Sequence, residues 1–582
     1  MAALRPPPQR RRNPMDPAAV YRTGAEPPTA ISGRQPTRRR HQPRGASMTP
    51  CPDPTVHDES PWRRANRRWL TLLVLGAAAC APSPDDTADA DRLQPADHEE
   101  AIARVAARLQ PAIQLAGRQP QVWTLEQRMQ EHQVPAVGMA VLADGEVAWH
   151  RVWGLADPAE GVEAGPNTLF QAASISKPVA ALVALSLVDE GLLDLDEPVN
   201  RRLTSWQVPP HEGQDEHPVT LRHLLTHSAG TTVWGFPGYR KDQEFSPGKA
   251  IPSNIEVLDG DGNTDPVTVF RRPGEAWQYS GGGFTVVEQL IEDVTGRPFA
   301  EVARERVLVP AGMISSTFEQ PLPPERWSAA ARGHRGDGSE VEGEWHNYPE
   351  QAAAGLWTTA ADLATLSAHL LDILRSDADP SESPAAPVVS RATMEAMLTP
   401  NGDPDGALRG WGLGVGLGGE GAGATFRHGG SNEGFKAQWI TARDPAQGYG
   451  VAVMANGDRG SALASELVRA VAEIYDWPGH EPTERAARPV STADAAQYAG
   501  RYARPERPEM TITISAAGDG ETLRVDVPGQ GAFTLHLDGE EDDLFFDPVD
   551  ASEIHFERDE EGGAVVAART GGEDLWQRLP EA

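Results

Sequence analysis

A serine and a lysine stand three residues apart in the stretch Phe170-Gln-Ala-Ala-Ser174-Ile-Ser-Lys177-Pro178. At that spacing two side chains share one face of a helix. A serine hydroxyl is a weak nucleophile until a base takes its proton. A buried lysine can be that base, because removal from water favours its neutral form. Arginine cannot, since a guanidinium keeps its proton. Lysine is scarce in this chain, with four among the 52 Lys and Arg residues. The pair reads as nucleophile and base of an acyl-transfer site. Other candidates carry less. His223 and His227 lie four residues apart, but no Glu completes an H-E-x-x-H zinc pattern, so both read as helix packing and capping. Asp259-Gly-Asp261-Gly-Asn263-Thr-Asp265 lacks the Gly and Glu that a calcium loop needs at its sixth and twelfth positions, and reads as an acidic loop. No G-x-S-x-G occurs, which counts against an α/β-hydrolase.

Two further segments join the first: Trp277-Gln-Tyr279-Ser280-Gly281-Gly-Gly-Phe284 and Phe426-Arg-His428-Gly429-Gly430-Ser431-Asn-Glu-Gly434. In this order and spacing the three resemble the active-site motifs of the serine beta-lactamase and penicillin-binding-protein superfamily, above all its class C and esterase-like branch. Leu221-Arg-His-Leu-Leu-Thr-His227-Ser-Ala-Gly230, Gly312-Met313 and Ala354-Gly-Leu-Trp-Thr-Thr-Ala-Ala-Asp362-Leu363 fit as well, and the likeness covers about residues 120 to 478. The resemblance implies that Ser174 is acylated, that Lys177 receives its proton, and that Tyr279 relays it to the leaving group. It also implies an oxyanion hole from the backbone N–H groups of Ser174 and Ser431, and no metal or cofactor. Gly281, His428, Gly429 and Gly430 would line the substrate, with the glycines letting a substrate backbone approach the strand. Two departures bear on specificity. The superfamily's Tyr-x-Asn reads Tyr279-Ser280-Gly281, and its Lys-Thr-Gly reads His428-Gly429-Gly430. The second loses a fixed cation and a hydroxyl that help hold the carboxylate of a lactam or a D-Ala-D-Ala terminus, so esters and small amides gain weight.

Helices are expected over Glu99 to Leu115 and Val122 to Gln130, then a hairpin of Val137 to Val141 and Val147 to Val152 around Asp144-Gly145. The Ser174 helix follows, with apolar positions from Val179 to Val188 and Pro178 in its first turn. Gly- and Pro-rich loops alternate with helices to about residue 350. Ala361 to Leu374 reads as a helix, residues 376 to 388 as a flexible segment, Lys436 to Thr441 and Gly450 to Ala455 as strands, and Ala462 to Tyr475 as a closing helix. The expected sheet is built from both ends of the domain. Short alternating strands at Thr511 to Ile514, Leu523 to Val527, Phe533 to Leu537 and Ile554 to Phe556 predict a small β-barrel or sandwich. With the resemblance, these elements imply an α/β (α+β) fold class: a beta-lactamase-like antiparallel sheet flanked by helices, an all-helical lobe, and a C-terminal β module that resembles the lipocalin-like modules of the family, its contact with the cleft left open.

The net charge of −32 is uneven: residues 1 to 70 carry 14 Arg and five acidic residues, so the rest is strongly acidic. Such a body repels phosphate backbones, which argues against nucleic acid as a partner. The only cysteines are Cys51 and Cys80. Arg63-Arg64-Ala-Asn-Arg67-Arg68, an apolar run from Trp69 to Ala79 and then Cys80 resemble a bacterial lipoprotein signal. The run is too short to span a bilayer. The expected organisation is a misassigned or disordered extension over 1–62, a signal over 63–80, a tether over 81–96, the hydrolase over 97–478, a linker over 479–492 and the β module over 493–582. The expected protein is a lipid-anchored serine hydrolase on the periplasmic face of the envelope, acting on a small molecule or short peptide. The alternatives are an inactive relative that binds cell-wall peptides and a structural lipoprotein.

Overall fold

Asp144 and Gly145 both take left-handed backbone, with φ of 55° and 84°, and turn strand Ala136–Ala143 back into strand Glu146–Asp157. That is the geometry an Asp-Gly pair supplies in a two-residue hairpin loop. The computed structural model describes residues 95–376, 387–400, 410–505, 507–528, 531–570 and 574–580. The 1–62 extension, the signal with Cys80, most of the tether, and residues 377–386 of the stretch read as flexible lie outside the described residues.

The hairpin forms one side of a seven-stranded antiparallel sheet. Its order is Val162–Glu163, Glu146–Asp157, Ala136–Ala143, Gly450–Ala455, Phe435–Ala442, Thr425–Asn432 and Gly416–Gly418. The centre joins early chain to late chain, Val137 opposite Ala455 and Leu142 opposite Gly450. Strand Gly450–Ala455 is buried throughout, and Ala136–Ala143 nearly so. Such strands appear in sequence as unbroken apolar runs.

One face of the sheet shares a core with helices Ser176–Asp189 and Ala360–Arg375. The other packs on helix Gly460–Tyr475 and on Pro95–Ala107. Ser176–Asp189 is buried from Ser176 to Leu187. A helix apolar on all sides belongs in the middle of a domain. The helix expected over Glu99 to Leu115 is shorter, ending at Ala107. Pro111 cannot continue it, and Ile113–Leu115 becomes a strand in parallel pairing with Thr483–Arg485. The stretch read as a linker thus carries paired backbone.

Beyond it, eight strands close a barrel. In order they are Gly531–Asp538, Leu523–Val527, Arg507–Ala516, Gly500–Arg504, Asp574–Arg578, Val565–Thr570, Glu553–Arg558 and Leu544–Phe546, which pairs back to the first. Tyr502, Leu523, Phe545, Phe556 and Trp576 fill the interior. The barrel docks on the main domain through backbone hydrogen bonds. Ala112 and Ile113 donate backbone hydrogen bonds to Val549 and Pro548, at 3.1 and 2.9 Å, and the Arg469 guanidinium reaches the Val549 carbonyl at 3.0 Å. These contacts lie on the Gly460–Tyr475 side of the sheet, away from the Ser174 helix. The backbone N–H groups of Ala112 and Ile113, outside the main sheet, thus find their partners in the barrel.

Candidate active site

Ser174 occupies a single 3₁₀ turn, Ala173–Ile175, that leads into helix Ser176–Asp189. Ala173 just before it takes φ 49°, a left-handed conformation that costs energy for any residue with a Cβ. The turn is held from both sides, by Ala172 N–H on the Leu356 carbonyl at 2.9 Å and Ile175 N–H on the Ala172 carbonyl at 3.1 Å. Strand Thr425–Asn432 passes directly over this turn. A Cβ on Gly430 would lie 2.1 Å from the Ala172 carbonyl oxygen, so only glycine allows the approach. Gly429 and Ser431 are exposed, and its outer neighbour Gly416–Gly418 pairs only with Thr425, Phe426 and Arg427. Among the described residues that edge has no strand partner from His428 onward, and it faces the nucleophile turn. Asn432 pins its end by donating to the Gln171 side chain at 2.7 Å and to the Ala354 carbonyl at 3.2 Å.

Lys177 is 2% exposed, and its Nζ lies 3.1 Å from Ser174 Oγ and 2.8 Å from the Ala353 carbonyl. The helix spacing alone brings the first contact. The second depends on the short helix Gln351–Ala354, which Glu288 anchors by accepting the Ala352 N–H at 2.8 Å. Burial first, then the neighbouring Glu292 and Glu350 carboxyls, push Glu288 well above the usual carboxylate range. Glu350 is raised to about 8 by burial. Glu288 is not visible as part of the site in sequence, because it acts through a backbone segment 64 residues away along the chain.

Tyr279 precedes helix Gly281–Thr295, whose N-cap Ser280 accepts the Gly283 N–H at 3.0 Å. Serine at the position where the superfamily's motif has its middle residue therefore starts the helix. Gly281 is buried there, and a Cβ on it would meet the Phe236 ring at 2.7 Å. The Tyr279 ring lies 5.0 Å from Lys177 Nζ, 4.4 Å from the His227 ring and 6.2 Å from that of His428. Ser174, Lys177, Tyr279 and His428 thus converge. His223 does cap its helix, in a reciprocal box with Thr220. His227 does not pack on that helix: at φ 56° it leaves the helix and turns against Tyr279. Trp411, 5.1 Å from His227 and 5.5 Å from His428, completes a wall of rings that no sequence motif marked. Trp277 and Trp234 are exposed at 37% and 52%. Among the described residues no group of three or more His, Cys, Asp or Glu is arranged to hold a metal, and no helix is long and apolar enough to cross a membrane.

Both site histidines are held neutral. Burial above all lowers His428 to about 3 and takes His227 well below its ordinary value. In the unfolded chain each histidine regains a pKa near 6.5. The unfolded state then binds protons that the folded state refuses, so their contribution to stability is present above about pH 6.5 and is lost as pH falls toward 3. A plot of melting temperature against pH between 6.5 and 4 is expected to fall, and to fall less steeply in His428→Gln. Equal slopes would contradict the assignment.

Ser174, the buried Lys177 amine and Tyr279 thus lie together beside the edge of strand Thr425–Asn432. The beta-lactamase family profile matches residues 124–476, and the chain belongs to that family. It is 24% identical to penicillin-binding protein 4* of Bacillus subtilis over 400 residues, 66% of this chain and 82% of that one. It is 32% identical to esterase EstB of Burkholderia gladioli over 222 residues, 37% of this chain and 55% of the esterase. The octameric penicillin-binding protein homologue of Pyrococcus abyssi superposes with a TM-score of 0.53 at 21% identity, covering 78% of this chain and 98% of that one, a likeness of fold.

Proposed function

We propose that this protein is an exported, lipid-anchored serine hydrolase that forms an acyl-enzyme at Ser174 and favours esters or small amides over lactams. The observation that carries the chemistry is the Lys177 Nζ, buried and 3.1 Å from Ser174 Oγ, with Tyr279 alongside. Ser174 Oγ attacks the substrate carbonyl, Lys177 takes its proton, and Tyr279 passes a proton to the departing oxygen or nitrogen. The N–H groups of Ser174 and Ser431 stabilise the oxyanion. Each such donor contributes about 3 to 4 kcal/mol to the transition state.

The preference for esters follows from His428. A neutral imidazole offers no fixed positive charge to a substrate carboxylate, and this one is buried and held uncharged by its surroundings. The exposed Trp234 and Trp277 suit an apolar substrate group. Export and attachment at Cys80 rest on the Arg63–Cys80 pattern alone, and the periplasmic location follows from it.

Intact-mass spectrometry after incubation with a fluorophosphonate and, separately, a penicillin tests the reading, with Ser174→Ala as control. A fluorophosphonate adduct on Ser174, absent from Ser174→Ala, with little or no penicilloyl adduct, is expected. Equal labelling by penicillin would overturn the ester preference. No adduct from either reagent on folded protein would leave an inactive peptide-binding relative as the better reading.

A further inference from the structure

Each of the five residues from 352 to 356 bonds to a distant part of the chain. The Ala352 N–H donates to Glu288 Oε2 at 2.8 Å. The Ala353 carbonyl accepts from Lys177 Nζ at 2.8 Å, and the Ala354 carbonyl from Asn432 Nδ2 at 3.2 Å. The Gly355 carbonyl accepts from Gln320 Nε2 at 2.8 Å. Leu356 accepts from the Ala172 N–H and donates to Ser176 Oγ, both at 2.9 Å. These partners flank every group of the proposed chemistry. Ala172 and Ser176 stand two residues either side of Ser174, and Asn432 follows Ser431. Glu288 lies on helix Gly281–Thr295, which begins just past Tyr279.

The segment cannot keep this shape alone. Its helix Gln351–Ala354 has four residues, far below the length at which a helix is stable by itself. Its position comes from the groups that grip it. Ala172, Ser176, Lys177 and Asn432 belong to the motifs that carry the chemistry, whereas Glu288 and Gln320 do not. Of these two, Glu288 grips the residue next to the carbonyl that Lys177 uses. It is 1% exposed, and burial pushes it well above the usual carboxylate range, so at neutral pH it accepts the N–H as a neutral acid. A neutral lysine amine has two N–H groups and one lone pair. With one N–H engaged by the Ala353 carbonyl, its rotation is set and the lone pair can face Ser174 Oγ, 3.1 Å away. A shift of that carbonyl swings the lone pair off the hydroxyl, even though Ser174 and Lys177 keep their places in the chain. We propose that Glu288 is a positioning residue for acylation, one that fixes the Ala353 carbonyl and through it the Lys177 amine. This role rests on the acyl-enzyme reading above.

The test is the second-order rate of fluorophosphonate labelling at Ser174 in two replacements of matched length. Glu288→Gln keeps an accepting oxygen for the Ala352 N–H, and Glu288→Met does not. Misplacing a reacting group by about 1 Å can slow a step about 100-fold. Glu288→Met is expected to slow labelling by about 10- to 100-fold, and Glu288→Gln to stay within about threefold of the wild type. The same change is then made in Lys177→Met, where no amine remains to be placed. There Glu288→Met should alter the residual rate by less than about twofold. Equal slowing in both backgrounds would mean that Glu288 supports the nucleophile turn or the fold at large. A Gln variant as slow as Met would mean that the hydrogen bond is not what matters. Either result overturns the proposal, as does a Met variant labelled at the wild-type rate. If Glu288→Met does not fold, Glu288→Asp, whose carboxyl ends one methylene short of Ala352, takes its place in the same cycle. A wild-type chain that takes no label on Ser174 would instead sink the serine hydrolase reading, and this role with it.

Discussion

Lys177→Met and Lys177→Arg are both expected to cut the rate of Ser174 acylation by about a thousandfold, near the middle to upper range for loss of a positioned general base. The two replacements remove different things. Methionine has almost the same length and fits a site that is 2% exposed, but has no basic nitrogen. Arginine keeps the charge and cannot give up its proton. If Lys177 served only as a cation, arginine would retain much of the rate. Because Nζ must first accept the proton of Ser174 Oγ, 3.1 Å away, both variants should fail alike. The measurement is the second-order rate of fluorophosphonate labelling. A loss smaller than about tenfold in either would assign the proton transfer elsewhere. The second contact of Nζ, to the Ala353 carbonyl at 2.8 Å, keeps the amine from swinging away from the serine.

The largest expected loss of stability lies on the opposite face of the sheet. The Arg128 guanidinium donates to the Glu466 carboxylate from Nε at 2.9 Å and from Nη2, with side-chain exposures of 2% and 0%. It also lies 4.1 Å from the Trp123 ring centroid. The pair ties helix Leu125–Glu131 to helix Gly460–Tyr475. Burial works against the Glu466 charge, but hydrogen bonds from His132 and Arg128 outweigh it and hold the carboxyl below its usual range. Arg128→Met would leave that charge buried without its partner, at a cost of about 3 to 5 kcal/mol in urea unfolding at pH 7. Adding Glu466→Leu should recover most of the loss, since two packed apolar side chains replace a buried pair at little net cost. As the native carboxyl is depressed, its stabilisation is complete above the unfolded value near 4.3 and fades as pH falls through the native one. A loss below about 1 kcal/mol in Arg128→Met would mean that the pair is solvated.

What could be read in the sequence divides by range. Ser174 and Lys177 were legible because a helix fixes their relation within four residues. Asp144-Gly145 was legible because its chemistry dictates its turn. Tyr279 and His428 needed the resemblance, since nothing local says that positions 149 residues apart along the chain meet. His227 lies just past the end of its helix, and a left-handed backbone, which no side-chain pattern announces, turns it onto Tyr279 and Ser280. Ala353 contributes only a carbonyl, which no side-chain pattern announces. In the barrel, the four strands with clear alternation were found. Gly500–Arg504, Leu544–Phe546, Val565–Thr570 and Asp574–Arg578 were not, being short or carrying charged residues, and without them closure could not be foreseen.

The pairing of Ala136–Ala143 with Gly450–Ala455 also sets the order in which this molecule can be made. The first hairpin leaves the ribosome with an apolar edge whose partner is still some 300 residues from synthesis. At 5 to 20 residues per second that is a wait of roughly 15 to 60 s. An apolar strand edge left open that long invites association with other chains. The Ile113–Leu115 strand waits longer still, for Thr483–Arg485. Nearly the whole chain must therefore exist before either end is safe, and the yield of folded protein should depend more on what shields the young chain than on the stability of the finished one.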